Sequence, residues 1–166
     1  EKTVGKRNSN YARLLSNLGL LLAKEGKFAE AEQALVESRS LAVAIYGPDH
    51  PNTATVTGLL AVNYMNRGAY VQSEKLLVEV VGARERVFGK RSEAYADALG
   101  ALAVLEGVRG DLGTSVSRME NAFAIEKEVF EPESPNVAIM LRRLGDAYRM
   151  ASDYPRAVAA YRESME

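Results

Sequence analysis

Leu18–Leu35 reads LGLLLAKEGKFAEAEQAL. An apolar, helix-forming run meets Gly26-Lys27 and gives way to a second helix-forming run that opens on Phe28. The stretch returns after 42 residues as LAVNYMNRGAYVQSEKLL, Leu60–Leu77, and then as LAVLEGVRGDLGTSVSRM, Leu102–Met119. It returns a third time as LGDAYRMASDYPRAVAAY, Leu144–Tyr161, with no insertion or deletion. A fixed period of this length marks an array of supersecondary units, none of which buries its apolar surface alone. The reading is an all-α solenoid of stacked antiparallel helix pairs.

Working outward, Leu15, Leu18, Gly19 and Leu22 fall at i, i+3, i+4 and i+7. That spacing is one face of a helix over residues 12–25, stopped by Gly26. A second helix over 28–46 carries Phe28, Ala31, Leu35, Leu41 and Ile45, and ends at Gly47-Pro48. Shifting by the period predicts helices over 54–68, 70–88, 96–109, 112–130, 138–151 and from 154 to the chain end, about eight in all. Ser152 stands where the other turns have glycine. Asn8, His50, Ser92 and Ser134 form a column just before the first helices. Three of the four are good N-caps, and Pro51 and Pro135 follow at the favoured first helical position. The repeats are therefore set at 12–53, 54–95, 96–137 and 138–166, the last truncated. Residues 1–11 are read as the end and corner of a preceding repeat, because Val4-Gly5-Lys6-Arg7 matches Phe88-Gly89-Lys90-Arg91 two periods on. The chain opens on Glu1 rather than Met and is expected to be a segment of a longer protein.

Composition narrows the function. The 166 residues are 47% hydrophobic, too apolar for a disordered chain. A formal net charge of −1 gives no bulk field for nucleic acid or an anionic membrane. The absence of cysteine removes disulfides, thiolate metal sites and a cysteine nucleophile. No apolar run approaches the roughly 20 residues that span a bilayer, and no signal-peptide pattern is present. A cytoplasmic setting is expected, with a periplasmic one left open.

These residues resemble the tetratricopeptide repeat. Leu15-x2-Leu18-Gly19-x2-Leu22 with Ala31-x3-Leu35 fits its pattern, as does Leu141-x2-Leu144-Gly145-x2-Tyr148 with Ala157-x3-Tyr161. The usual unit has about 34 residues. The extra eight, if helical, lengthen the second helix by about 12 Å. That longer unit, with Gly26-Lys27-Phe28, Ala31-Glu32 and Tyr46-Gly47-Pro48-Asp49-His50-Pro51, is similar to the kinesin-light-chain type. The third repeat departs most: Glu106 replaces a large apolar or aromatic residue, and Gly100 and Gly107 share one helix. Each such glycine costs roughly 1 kcal/mol against Ala unless something packs close.

The resemblance implies a right-handed superhelix whose first helices line a concave groove for an extended peptide. Opposite the core stripe, the first repeat presents Arg13, Asn17, Leu20 and Lys24. The second presents Thr55, Leu59, Val62 and Asn66 with Met65 beside them. The third presents Asp97, Ala101, Val104 and Val108, and the fourth Ile139, Arg143, Asp146 and Met150, flanked by Arg142 and Arg149. Leu59, Val62, Met65, Val104 and Val108 would make an apolar centre; Arg13 and Lys24 at one end and the three fourth-repeat arginines at the other would make basic ends. The expected partner is a protein or peptide segment with an apolar middle and acidic flanks, because arginine holds carboxylates through paired hydrogen bonds. The alternative is that these residues are solvated or pack on neighbouring helices, with an ion-pair ladder around Asp146. The Lys/Asn clamp that some repeats of this family use for chaperone C-termini is absent, its places being Ser16, Leu20, Leu59, Asp97 and Ala101.

Nothing in the chain calls for catalysis, a cofactor or a metal ion. His50, the one histidine, sits in the cap column and has no nucleophile in its motif. Glu106 is expected to reach solvent or pair with an arginine. Gly-rich phosphate loops, HExxH and nucleophile elbows are missing. The function expected is an interaction scaffold. Two further classes remain: self-assembly through the uncapped last repeat, and a regulatory domain of a larger enzyme or signalling protein.

Overall fold

The structure, a computed structural model, describes residues 8–165, so the expected tail of a preceding repeat at Val4–Arg7 lies outside it. Among the described residues there are eight α-helices and no strand. The chain divides into two compact units between Val87 and Phe88. The first holds α1 (Ser9–Lys24), α2 (Phe28–Tyr46), α3 (Pro51–Asn66) and α4 (Tyr70–Phe88). The second holds α5 (Glu93–Val108), α6 (Leu112–Val129), α7 (Pro135–Met150) and α8 (Tyr154–Glu163). In each unit a helix pair packs on the first helix of the next pair: α1 on α2, α2 on α3, and likewise α5 on α6 and α6 on α7. The fold is an all-α helical-repeat solenoid.

The first helices begin three residues before the positions expected at 12, 54, 96 and 138. The cap column explains the shift. Asn8 accepts from the Asn10 N–H (2.9 Å), and Ser92 and Ser134 accept from Tyr95 and Asn136 (3.3 Å each). His50, the one column member that is not a usual cap, does the same through Nδ1, 3.1 Å from the Asn52 N–H, with its ring stacked on Tyr46. Each first helix ends in a turn closed by a backbone bond back over five residues, as in Lys27 N–H to Leu22 O (2.9 Å) and Asp153 N–H to Tyr148 O (2.9 Å). That is the Schellman closure, which needs a left-handed residue. Gly26, Gly68 and Gly110 supply it; Ser152 is forced there at φ 60°.

The core follows the repeat. Ala31, Leu35, Ala61 and Leu77 are buried in the first unit, and Ala103, Leu105, Met119 and Met140 in the second. Fully burying one such leucine contributes about 1.5–3 kcal/mol. Of the expected core positions, Leu22, Phe28, Leu41 and Ile45 are half-buried and Leu18 is exposed. Leu18 is 48% exposed, with Leu14 and Leu21 at 59% each, whereas the counterparts Leu60 and Leu144 are at 4% and 5%. The reason is neighbourhood: α3 packs on α2 and α7 on α6, while no described helix precedes α1. Two buried serines are satisfied by the backbone, Ser38 Oγ–H donating to Ala12 O (2.7 Å) and Ser115 Oγ–H to Ala103 O (2.8 Å). Thr57, placed where a large apolar residue is usual, is buried, donates to Thr53 O and accepts from Arg39 Nε. Arg39 in turn grips Glu79 through two bonds of 2.6 and 2.9 Å.

Candidate functional site

Arg13, Asn17, Leu20 and Lys24 recur at four, three and four residues and so share one face of α1; Thr55, Leu59, Val62 and Asn66 do the same on α3. Because α1 and α3 lie side by side, the two rows face a common strip. Two depressions open along it. One of about 390 Å³ is lined by Arg13, Asn17, Thr55 and Leu59, with Ala42 and Tyr46 of α2 among its walls. The other, about 250 Å³, is lined by Leu20, Lys24, Leu59, Val62 and Asn66. Leu59 belongs to both, while Met65 is half-buried and lines neither. Val62 stays 41% exposed and Leu20 39%, so the strip is apolar where it meets water. Among the described residues neither Arg13 nor Lys24 has an ion-pair partner.

In the second unit the corresponding rows lie on α5 and α7, which also touch. Ala101 is half-buried, whereas Val104 and Val108 are 40% and 45% exposed. The three arginines expected at the basic end of the fourth repeat have acidic partners within the chain. Arg143 donates to Asp97 Oδ1 at 2.9 Å. Arg142 and Arg149 share Asp146 at 3.4 and 3.6 Å, and the Tyr161 hydroxyl also donates to that carboxylate at 2.8 Å. The helical spacing around Asp146 makes an ion-pair ladder, and of the cations expected in the groove Arg13 and Lys24 are the ones without an ion-pair partner among the described residues. Glu106 meets Arg118, which donates Nε to both carboxylate oxygens at 2.9 Å, so it is a paired surface acid.

One residue of this face was not anticipated. Glu126, on α6, is only 2% exposed, and its Oε2 has no hydrogen-bond partner. Burial, then the negative charges of Asp97 and Glu93, push its carboxyl up to about 7, against the opposing pull of Arg143. Glu93 is itself held by the Asn136 amide at 2.9 Å. The repeat carried a signal for it: the column Ala42, Arg84, Glu126 places ionisable side chains where the first repeat has a buried alanine. Among the described residues no group of three or more His, Cys, Asp or Glu converges to hold a metal ion, and no helix is long and apolar enough to cross a membrane.

Comparison with known proteins agrees with this architecture. Models described as tetratricopeptide repeat match residues 10–65 and 103–166, and a second of the same description matches 53–93. Clustered mitochondria protein homologs from Aspergillus clavatus and Coccidioides immitis are 27% and 28% identical over 136 residues, 82% of this chain. The chain spans only 11% of the length of those relatives. Solved structures are similar in fold. BtubC (BKLC) from P. vanneervenii superposes with a TM-score of 0.78 at 20% identity, over 93% of this chain and 61% of that one. A kinesin light chain of nearly identical repeats from Podosopora anserina gives 0.80 at 19% identity, over 99% of this chain and 77% of that one.

Proposed function

We propose, from the premise that the chain belongs to the tetratricopeptide repeat family in its kinesin-light-chain-like form, that the α1–α3 strip takes an extended peptide segment of a partner protein. Membership in the family makes the chain a protein-interaction repeat domain; the strip, the peptide and its chemistry are the further step. The observation that carries the step is the pair of adjoining depressions that share Leu59. Leu20, Leu59 and Val62 offer apolar contact, and the exposed apolar strip is of the kind that marks partner sites. Among the described residues Arg13 and Lys24 have no ion-pair partner, so they favour acidic residues flanking an apolar centre. Balanced charge and the lack of an aromatic stacking row on this strip argue against nucleic acid.

The test begins with selection of random peptides on the intact chain. Selected peptides should carry apolar residues beside Asp or Glu, and Val62→Glu should weaken them about tenfold or more, a loss of some 1.4 kcal/mol. Val36→Glu, on the exposed part of α2, is the matched control. Equal affinity for wild type and Val62→Glu removes the strip as the binding place.

A second reading has its own observation. Leu14, Leu18 and Leu21 on α1, and Tyr154 and Val158 on α8, are exposed apolar residues on terminal helices. Stacking of copies would cover such faces and, being heterologous, would extend with concentration. Sedimentation over a hundredfold concentration range decides it: a constant monomer mass excludes self-assembly by this chain.

A further inference from the structure

In the first unit, Ala42, Arg13, Asn52 and Leu59 stand around the larger depression. Two periods on, their places are taken by Glu126, Asp97, Asn136 and Arg143. A small floor residue has become a carboxylate, and a free arginine has become an aspartate. Glu126 lies 98% within the protein, by its 2% exposure, with Oε2 unpartnered. A buried acceptor left without a donor is destabilising by roughly 1–3 kcal/mol, and more if charged, so the arrangement calls for a donor from outside.

We infer that Glu126, with Asp97 and Glu93 above it, is a subsite for the cationic side chain of a lysine or arginine in a bound polypeptide. Asp97 engages the Arg143 guanidinium at 2.9 Å, and the charges of Asp97, Glu93 and Arg143 all act on Glu126. Glu93 is exposed and Asp97 half-exposed, so a long side chain meets carboxylates from the rim inward. Residue 100, next to Arg143, is glycine; even a Cβ there would stop 3.6 Å from Arg143 Nη1 and 3.8 Å from Met119 Sδ and Met140 Cε. A methyl at residue 100 would already be in ordinary contact with Arg143 and the two methionines, so the gap left by this buried glycine is no wider than a methyl group. A metal ion fits less well, since no three carboxylates converge on one point among the described residues. The inference deepens the peptide reading and rests on it, but it concerns the second unit and opposite ligand charge.

Occupation by a cation favours the ionised form of Glu126, so binding releases a proton. The groups facing it are Glu93 and Asp97 from α5 and Arg143 from α7. With its carboxyl at about 7, Glu126 is about one-tenth ionised at pH 6 and nine-tenths at pH 8. Affinity should then rise about tenfold between those values. The probe is N-acetyl-arginine N-methylamide, titrated into the intact ¹³C-labelled chain while the Glu126 side-chain carboxyl is followed by NMR. The expected result is a saturable shift, the tenfold rise with pH, and no shift with the neutral citrulline analogue. Glu126→Gln should abolish the pH slope, Asp97→Asn should weaken binding with the fold intact, and Arg143→Gln, which removes the competing charge, should tighten it. No saturable shift at Glu126, equal binding of the citrulline analogue, or a pH slope that persists in Glu126→Gln overturns the inference. If peptides lost on Val62→Glu still bind the wild type in that case, the groove reading stands and only the subsite falls.

Discussion

Gly145→Ala tests whether the repeat's Leu-Gly step is a packing requirement. A methyl at residue 145 would sit 2.7 Å from Tyr161 Cε1, 2.8 Å from Cδ1 and 3.1 Å from Cζ. Carbon–carbon contact is comfortable at about 3.5–4.0 Å, so the ring has to retreat by roughly 0.7 Å or more. It is not free to do so, because its hydroxyl is tied to Asp146 Oδ1 at 2.8 Å. Overpacking of this kind costs about 1–3 kcal/mol, and slackening the hydrogen bond adds about 1. Replacing a helical glycine by alanine returns about 1 kcal/mol. The net expectation is a loss of about 1–3 kcal/mol. The same column holds Ala61 opposite Leu77 and Ala103 opposite the flexible Met119, all buried without such a conflict. Tyr161→Met in the Gly145→Ala background should therefore recover most of the loss. Gly100→Ala is the counterpart, since its methyl meets nothing nearer than 3.6 Å. It should gain about 0.5–1 kcal/mol. Urea unfolding followed by circular dichroism at 222 nm measures all four. The reasoning fails if Gly145→Ala and Gly100→Ala shift the midpoint in the same direction, or if Tyr161→Met does not rescue.

Three further outcomes follow from single residues. Glu126 has a folded value of about 7 against an ordinary 4.5, so its contribution to stability is fully present below pH 4.5 and lost as pH rises through 7; wild type should lose up to about 3 kcal/mol between pH 4.5 and 8, while Glu126→Gln, assayed by the same urea titration, should not. Ser152→Gly places glycine at φ 60° and should stabilise the α7–α8 turn by about 1 kcal/mol, read as a rise in the unfolding midpoint. Gly47 has φ 90° with nothing within 4 Å of an added Cβ, so Gly47→Val should destabilise by about 1–3 kcal/mol through backbone strain alone while leaving peptide affinity at the α1–α3 strip unchanged.

The helix pairs were legible because their signals are local. Periodicity of Leu15, Gly19 and Leu22, glycine at 26, 68 and 110, and the cap column each act within one turn of helix. The helix starts were misplaced by three residues because apolar spacing begins only where a helix faces its neighbours, whereas the cap decides where the backbone turns helical. His50 shows the same point: an imidazole nitrogen caps as a serine oxygen does once the local geometry presents it to the Asn52 N–H. The exposure of Leu18 and the pairing of the fourth-repeat arginines were not legible for a different reason. Their state depends on partners distant in sequence: the helix that would cover Leu18, and Asp97, 46 residues before Arg143. A single sequence displays the column but not the pairing.

The two units show why function concentrates in the columns that vary. Positions such as Ala31, Ala61, Ala103 and Ala157 are buried and small, and changing them would alter how helices meet. Arg13 and Asp97, Leu59 and Arg143, Ala42 and Glu126 occupy equivalent places in the repeat, and the packing of α1, α2 and α3 on one another recurs for α5, α6 and α7. Under the proposed reading, substitution at these columns would change ligand chemistry and leave the buried core columns untouched. In the first unit Arg13 and Ala42 line an open depression; two periods on, an aspartate stands beside a buried glutamate. Exchanging Ala42 and Glu126 alone, as Ala42→Glu with Glu126→Ala, should move preference for an arginine side chain toward the first unit in proportion to how well Arg13 is also removed. If the preference does not move even with Arg13→Asp added, the floor column does not set ligand charge, and the chemistry of the strip resides in the exposed rows alone.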